Sequence, residues 1–188
     1  MRSKRIFDII VSLGALCLAS IPMVIVAIAV RISSPGPSLY WSQRVGKGNQ
    51  IFLMPKFRTM RTDAPVVATH LLDDPSTYLT PIGGFLRKTS LDELPQLWSI
   101  LRGDMSLVGP RPALFNQHDL IAQRTEANVH LLTPGLTGWA QVNGRDELAI
   151  PLKVAFDAEY HQKQSFVFDI RILWLTAIKV ISARGVSH

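Results

Sequence analysis

At 188 residues the chain is long enough for one domain with a real core, and two domains would be crowded. Hydrophobic residues make up 47% and the formal charge is +6, which argues against a wholly water-facing surface and for an anionic partner: nucleic acid, anionic headgroups or a phosphorylated small molecule. The single cysteine, Cys17, excludes an internal disulfide, a cysteine-based zinc site and a disulfide-rich secreted scaffold.

Ile9 to Val30 contains no charged residue, a run of 22 that as a straight helix extends about 33 Å, the thickness of a bilayer core. It is too long for the apolar region of a secretory signal. Residues 1–37 therefore read as a membrane element, and 38–188 as one integrated catalytic region facing the cytosol. Pro22 removes a helical hydrogen bond near the middle of the run, so a break is expected there. Basic residues flank it evenly, with Arg2, Lys4 and Arg5 before and Arg31, Arg44 and Lys47 after. Balanced flanks suit a segment that turns back at Ser20-Ile21-Pro22, and a kinked spanning helix fits as well.

The SSPGPS stretch at 33–38 separates this element from the rest. Leu39–Gln43 and Ile51–Met54, around VGKGN, predict a β-hairpin that delivers Lys56-Phe57-Arg58 at its end. Residues 63–80 read as loop. Leu91, Leu94, Trp98 and Leu101 fall at helical spacing, and Gly103 is a natural stop. A second helix is expected from about Ala113 to His130, followed by a tightly turning loop, TPGLTGWAQVNGR, over 133–145. Pro151 suits the first turn of a helix running to about Gln162, and Ser165 caps a last one. That last segment carries Asp169, Arg171, Lys179 and Arg184, too many charges for a comfortable span. A helix lying in the membrane interface and an ordinary core helix both fit it. The fold class is α+β and mostly helical, with a small β-hairpin and amphipathic interfacial helices.

The stretch SLDELPQLWSILRGDMSLVGPRP, from Ser90 to Pro112, carries the chemistry. Ser90-x-x-Glu93 has the spacing of a capping box, and first-turn carboxylates complement a helix dipole. Against that bland reading stand Pro95, an odd choice just inside a well-capped helix, and the basic frame of Arg87, Lys88, Arg102 and Arg111, which the hairpin extends with Lys56 and Arg58. Cations around paired carboxylates suit an anion together with Mg²⁺, which is held by one or two carboxylates plus substrate phosphates. Arg111, between two prolines, reads as a rigid phosphate clamp or as a helix-entry arginine paired with a carboxylate. The histidines show no metal-ligand spacing.

RIFDIIVSLGALCLASIPMVIVAIAV, KFRTM, RKTSLDELPQLWSILRGDMSLVGPRP, PGLTGWAQVNGR and FDIRILWLTAIKV, in that order over nearly the whole chain, resemble the bacterial sugar transferases, the monotopic phosphoglycosyl transferases, in their short catalytic-domain-only form. The resemblance implies transfer of a sugar phosphate from a UDP-sugar to polyprenol (undecaprenyl) phosphate with release of UMP, dependence on Mg²⁺, and a re-entrant membrane helix hairpin broken at Ser20 and Pro22. The family's break is usually Ser-Pro, and here Ile21 intervenes. By position, Asp92 matches the proposed nucleophile and Glu93 the metal-holding carboxylate, with Asp92 a second candidate ligand. Lys56, Arg87 and Arg111 match phosphate-binding positions, Asp169 an acidic position of the last helix, and Gln141, Asn143 and Arg145 the loop lining nucleotide or sugar. The implied place is the cytoplasmic face of the bacterial inner membrane, with the lipid bilayer as partner and homo-oligomerisation left open. The rival reading is a membrane-anchored basic module for nucleic acid or anionic lipid. It needs basic residues interleaved with aromatics along a groove, whereas the cations here are dispersed among turns, which argues against a nucleic-acid partner.

Overall fold

In a computed structural model, which describes residues 2–67, 74–144 and 148–181, the apolar run forms one helix, α1, from Arg2 to Ser33. Helical backbone continues through Ser20-Ile21-Pro22, so no non-helical loop separates the two halves. The Ser20 hydroxyl donates to the Cys17 carbonyl at 2.8 Å, within the turn that Pro22 deprives of an amide donor. Among the described residues α1 is the one helix long and apolar enough to cross a membrane.

Both ends of α1 are tied to the rest of the chain. At the first turn Lys4 Nζ lies 2.6 Å from Asp169 Oδ2 and 3.0 Å from the Val108 carbonyl, and the Arg5 guanidinium donates to the carbonyls of Ile100 and Leu101. Asp8, buried, accepts from Ser106 Oγ at 2.8 Å and from the Leu107 amide. At the other end Val26 and Val30 are buried against Phe57 and Leu86. The outward face stays apolar, with Leu18 85% and Ile32 81% exposed.

The hairpin forms as expected and runs longer. β1 (Leu39–Val45) pairs antiparallel with β2 (Ile51–Phe57) in the register Leu39↔Phe57 and Val45↔Ile51. The extra residues place Lys56 at the end of β2. Helix α2 (Gly83–Thr89), a 3₁₀ turn at Leu91–Glu93 and helix α3 (Gln96–Arg102) follow. Gly103 ends α3 at φ 98, a left-handed conformation that costs glycine nothing. Within the 63–80 stretch Pro75–Tyr78 makes a 3₁₀ turn, capped by the Asp74 side chain on the Ser76 amide.

Two expectations are corrected. Helix α4 runs only from His118 to Glu126, not from Ala113 to His130. Ala113 and Leu114 are drawn into pairing with the hairpin, Val45 N–H to Ala113 O at 2.9 Å and a bridge between Arg44 and Leu114, and Asn128 at φ 58 stops the helix early. Nor is 133–145 simply a turning loop. It contains strand β4 (Gly135–Thr137), which pairs parallel with β3 (Ser106–Val108), and helix α5 (Trp139–Asn143). Gly135 serves close approach here: a Cβ on it would meet the Gly109 nitrogen at 2.1 Å.

Helix α6 (Ile150–Lys163) carries Pro151 in its first turn, and α7 (Phe166–Ile181) starts where the Ser165 hydroxyl accepts the Phe168 amide at 3.2 Å. Helix α7 presents a buried face and an exposed apolar one. Asp169 and Ile172 are buried against the core, while Val167 and Trp174 face outward at 78% and 68% exposure. The main core gathers Met54, Leu97, Ile100, Val108, Tyr160 and Ile172 from β2, α3, β3, α6 and α7.

Asp169 is 2% exposed, and its Oδ1 accepts the Tyr160 hydroxyl at 2.6 Å. Replacing Lys4 by alanine strands that buried carboxylate, so denaturation of Lys4→Ala in detergent should show a loss of about 3 kcal/mol. Lys4→Ala combined with Asp169→Asn should recover part of it, because no buried charge is then left unpaired.

Candidate active site

Ser90 excludes the capping-box reading of the carboxylate pair. It sits at φ 57, ψ 17, where it caps the C-terminus of α2, and its side chain makes no cap hydrogen bond. An N-cap requires extended backbone, so the capping box does not form despite its spacing. Glu93 is thereby free to face away from its own turn. Lys56 Nζ, from the end of β2, lies 3.1 Å from Glu93 Oε1. Arg111, from the Gly109–Pro112 segment after β3, donates Nη1 to Glu93 Oε2 at 3.3 Å and Nη2 to Oε1. Three segments distant in sequence thus converge on one carboxylate.

The two acids end up in opposite electrostatic states. Burial is the largest influence on Asp92, which is 6% exposed; with repulsion from Glu93 it outweighs the attraction of Lys56, Arg111 and Arg87 and pushes the carboxyl up to about 6. Burial acts on Glu93 in the same direction, yet Arg111 and Lys56 overcome it by charge and hydrogen bonding and hold Glu93 well below the usual carboxylate range. Lys56 is lowered, by burial first and by the nearby guanidiniums of Arg111 and Arg44, against the pull of Glu93 and Asp92. Neighbouring acids driven apart in this way are the usual basis for a division of chemical labour.

Of the other residues singled out in the sequence, Arg87 reaches the edge of the site: its Nε donates to Thr59 Oγ1 at 3.1 Å and its charge acts on Asp92. Arg58 turns away and donates to the carbonyls of Pro37 and Ser34, pinning the chain that leaves α1. Arg102 is spent on Asp104, and Lys88 is exposed. Asp169 belongs to the α1 anchor with Lys4 and Tyr160, not to the Glu93 cluster. Gln141 lies beside Gly138 with both amide atoms buried and unpartnered, and Asn143 donates to its own turn at the Trp139 carbonyl. Arg145 lies outside the described residues. Sequence reasoning missed Arg124, whose place in AQRTE looks like that of any solvated helix arginine; its Nη1 donates to the Arg111 carbonyl at 2.8 Å.

No group of three or more His, Cys, Asp or Glu able to hold a metal occurs among the described residues, so an all-protein cage is not available there. The Asp92-Glu93 pair suits an ion that takes one or two carboxylates and completes its shell with phosphate oxygens and water.

A profile of the bacterial sugar transferase family matches residues 1–183. The chain belongs to that family. It is 39% identical to "Uncharacterized sugar transferase EpsL" of Bacillus subtilis over 98% of this chain and 90% of that one. It is 40% identical to the UDP-glucose:undecaprenyl-phosphate glucose-1-phosphate transferase of Escherichia coli, over 94% of this chain and 39% of that protein. With the undecaprenyl-phosphate galactose phosphotransferase of Salmonella typhimurium the identity is 37%, over 97% of this chain and 41% of that protein. The chain therefore spans nearly all of EpsL and about two fifths of the other two.

Burial of Asp92 also bears on stability. The folded carboxyl holds its proton up to about pH 6 against a reference of 3.8, so this contribution is fully present below 3.8, is lost progressively as pH rises from there, and is gone once pH has passed about 6. In metal-free buffer, Asp92→Asn should be about as stable as wild type near pH 3.5, below the reference value, and more stable by about 1 to 3 kcal/mol at pH 8. A helix-capping role predicts a loss of about 1 kcal/mol instead. Urea unfolding at the two pH values separates them.

Proposed function

We propose that this protein transfers a sugar 1-phosphate from a UDP-sugar to polyprenol phosphate, undecaprenyl phosphate in bacteria, releasing UMP and starting the assembly of a surface glycan or glycoconjugate. The observation that carries the reading is the split acid pair: Glu93 locked ionised between Lys56 and Arg111, and Asp92 buried beside it in no ion pair among the described residues. A poorly solvated carboxylate that ionises below neutral pH is a competent nucleophile. Family membership and the names of the relatives supply the acceptor and the reaction class. The relatives name both glucose and galactose, so the sugar is left unassigned.

Asp92 Oδ attacks the sugar-bearing phosphorus, and the diphosphate bond breaks with its electron pair leaving on UMP. The resulting acyl phosphate is attacked by an oxygen of polyprenol phosphate, the acyl oxygen to phosphorus bond breaks, and the Asp92 carboxylate is regenerated. Two bulky anions thus never share the site, and one phosphate pocket serves twice. Arg111, Lys56 and Arg87 draw the diphosphate in and stabilise charge on its oxygens. Mg²⁺ held by Glu93, with Asp92 as a second ligand, would supply further charge neutralisation there.

The ends of α1 support a reading of its membrane placement. Lys4 and Arg5 are bonded to the body that carries the active site, and the other end leads directly into β1. A spanning helix would hold its ends on opposite sides of a core about 30 Å thick, out of reach of one another's partners. The arrangement supports a helix that enters and returns on the cytoplasmic side, or re-entrant geometry, with Pro22 at its weakest point. Phe7 meets Phe166 edge-on at 5.2 Å, joining the exposed apolar faces of α1 and α7 into a surface suited to the interface.

Mass spectrometry of the enzyme with UDP-sugar alone should find a phosphosugar adduct on the Asp92 peptide and released UMP. Normal turnover without either would leave Asp92 a metal ligand or base. Asp92→Asn should lose turnover at any metal concentration, whereas Glu93→Gln should lose most of it and regain part as Mg²⁺ is raised. An N-terminal tag should resist labelling from outside the cell; labelling there would overturn the re-entrant placement.

A further inference from the structure

The segment that presents Arg111 has an unusual hydrogen-bonding problem. Pro110 and Pro112 have no amide proton, so the segment is held chiefly through its carbonyls. Four successive carbonyls each have a separate donor. Pro110 O takes the Gly135 amide at 2.9 Å, Arg111 O takes Arg124 Nη1 at 2.8 Å, Pro112 O takes Arg44 Nη1 at 3.1 Å, and Ala113 O takes the Val45 amide at 2.9 Å. Among these donors Arg124 is the side chain bonded to Arg111 itself. It is 7% exposed, and its Nε and Nη2 both donate to Asp157 Oδ2, at 3.0 and 2.6 Å, with Asp157 1% exposed on α6. The fork is filled: one edge is clamped by α6, and the remaining nitrogen grips the backbone of the arginine that faces Glu93.

We propose that Arg124, oriented by Asp157, is a positioning residue that presets Arg111 for the donor's diphosphate. Fixing the Arg111 carbonyl between two prolines sets the direction in which its side chain leaves the backbone, so the guanidinium meets Glu93 and the incoming anion without reorganising. The inference rests on the reading of Arg111 as the phosphate clamp. It also gives the buried pair a role beyond joining α4 to α6, which a salt bridge alone would do at little net gain.

The test separates positioning from mere support. Arg124→Lys keeps the charge facing Asp157 but lacks the planar fork needed to hold Asp157 and the Arg111 carbonyl together. Calorimetric titration with inorganic pyrophosphate reads the grip of Arg111 without requiring turnover. Arg124→Lys should weaken pyrophosphate binding about 10-fold or more, while thermal unfolding still shows a cooperative transition. On an Arg111→Lys background the same change should cost less than about 3-fold, because the group it acts through is already altered. The kcat/KM for the UDP-sugar should show the same non-additivity. Equal losses on both backgrounds, or wild-type pyrophosphate affinity in Arg124→Lys, would overturn the positioning role. A wild-type protein that binds pyrophosphate but releases no UMP from any UDP-sugar would overturn the transferase reading and leave this cycle to be read on binding alone.

Discussion

The candidate active site hangs on one carboxylate. Glu93 is bonded to Lys56, 37 residues earlier, and to Arg111, 18 residues later, so it joins the end of the hairpin to the segment that follows β3. Without it the two cations would face each other in a partly buried place, where like-charge repulsion is weakly screened. With it, Lys56, Arg87 and Arg111 together outnumber the ionised pair by one positive charge. The same contact is therefore a structural joint that still leaves a local positive surplus. Charged groups with imperfect solvation are expensive to keep, and such groups cluster at functional sites.

The second constraint is the apolar face of α1. Only 11% of the most apolar stretch of α1 is buried within the protein, and fully burying each large aliphatic side chain is worth about 1.5 to 3 kcal/mol. The exposed Leu18, Ile21, Val24, Ile25, Ile28 and Ile32 make the outer face of α1 far more comfortable in lipid than in water. The inner face tells a different story, because it carries the buried Asp8 and Ser12 as well as Val26 and Val30. A helix wholly surrounded by lipid would not carry a buried aspartate bonded to a strand. Docking on the body and apolar exposure are thus assigned to different faces of the same helix, and Lys4 with Arg5 keeps the first turn on the body's side.

Much of this was legible where local chemistry decides the outcome. The hairpin, the Gly103 stop, Pro151 in a first turn and Ser165 at the start of α7 each follow from what one or two residues permit. Expectations failed where a residue with a local meaning was used for a distant contact. Gly135 looked like a turn and proved to be space for a neighbouring backbone; Ala113 and Leu114 looked like helix and became partners of β1. Ser90 had the right spacing for a capping box, but its backbone was already committed to ending α2. Arg124 and Asp157 had no signal at all, because their meaning depends on α4 packing against α6 behind the Arg111 segment.

The adjacency of Asp92 and Glu93 gains its sense from the shape of the turn that carries them. In a 3₁₀ turn successive side chains point about 120° apart, so neighbours in sequence can address different surroundings. Glu93 points to Lys56 and Arg111, while Asp92 points into an environment where burial outweighs every nearby cation. Lys56 and Arg111 act on both acids, and it is the hydrogen bonds to Glu93 and the burial of Asp92 that set the two apart. Pro95 fits this arrangement, because it serves as the cap residue before α3 and has no amide proton to leave unsatisfied. What resembles an irregular helix start is a way to hold two consecutive carboxylates whose proton affinities are shifted in opposite directions.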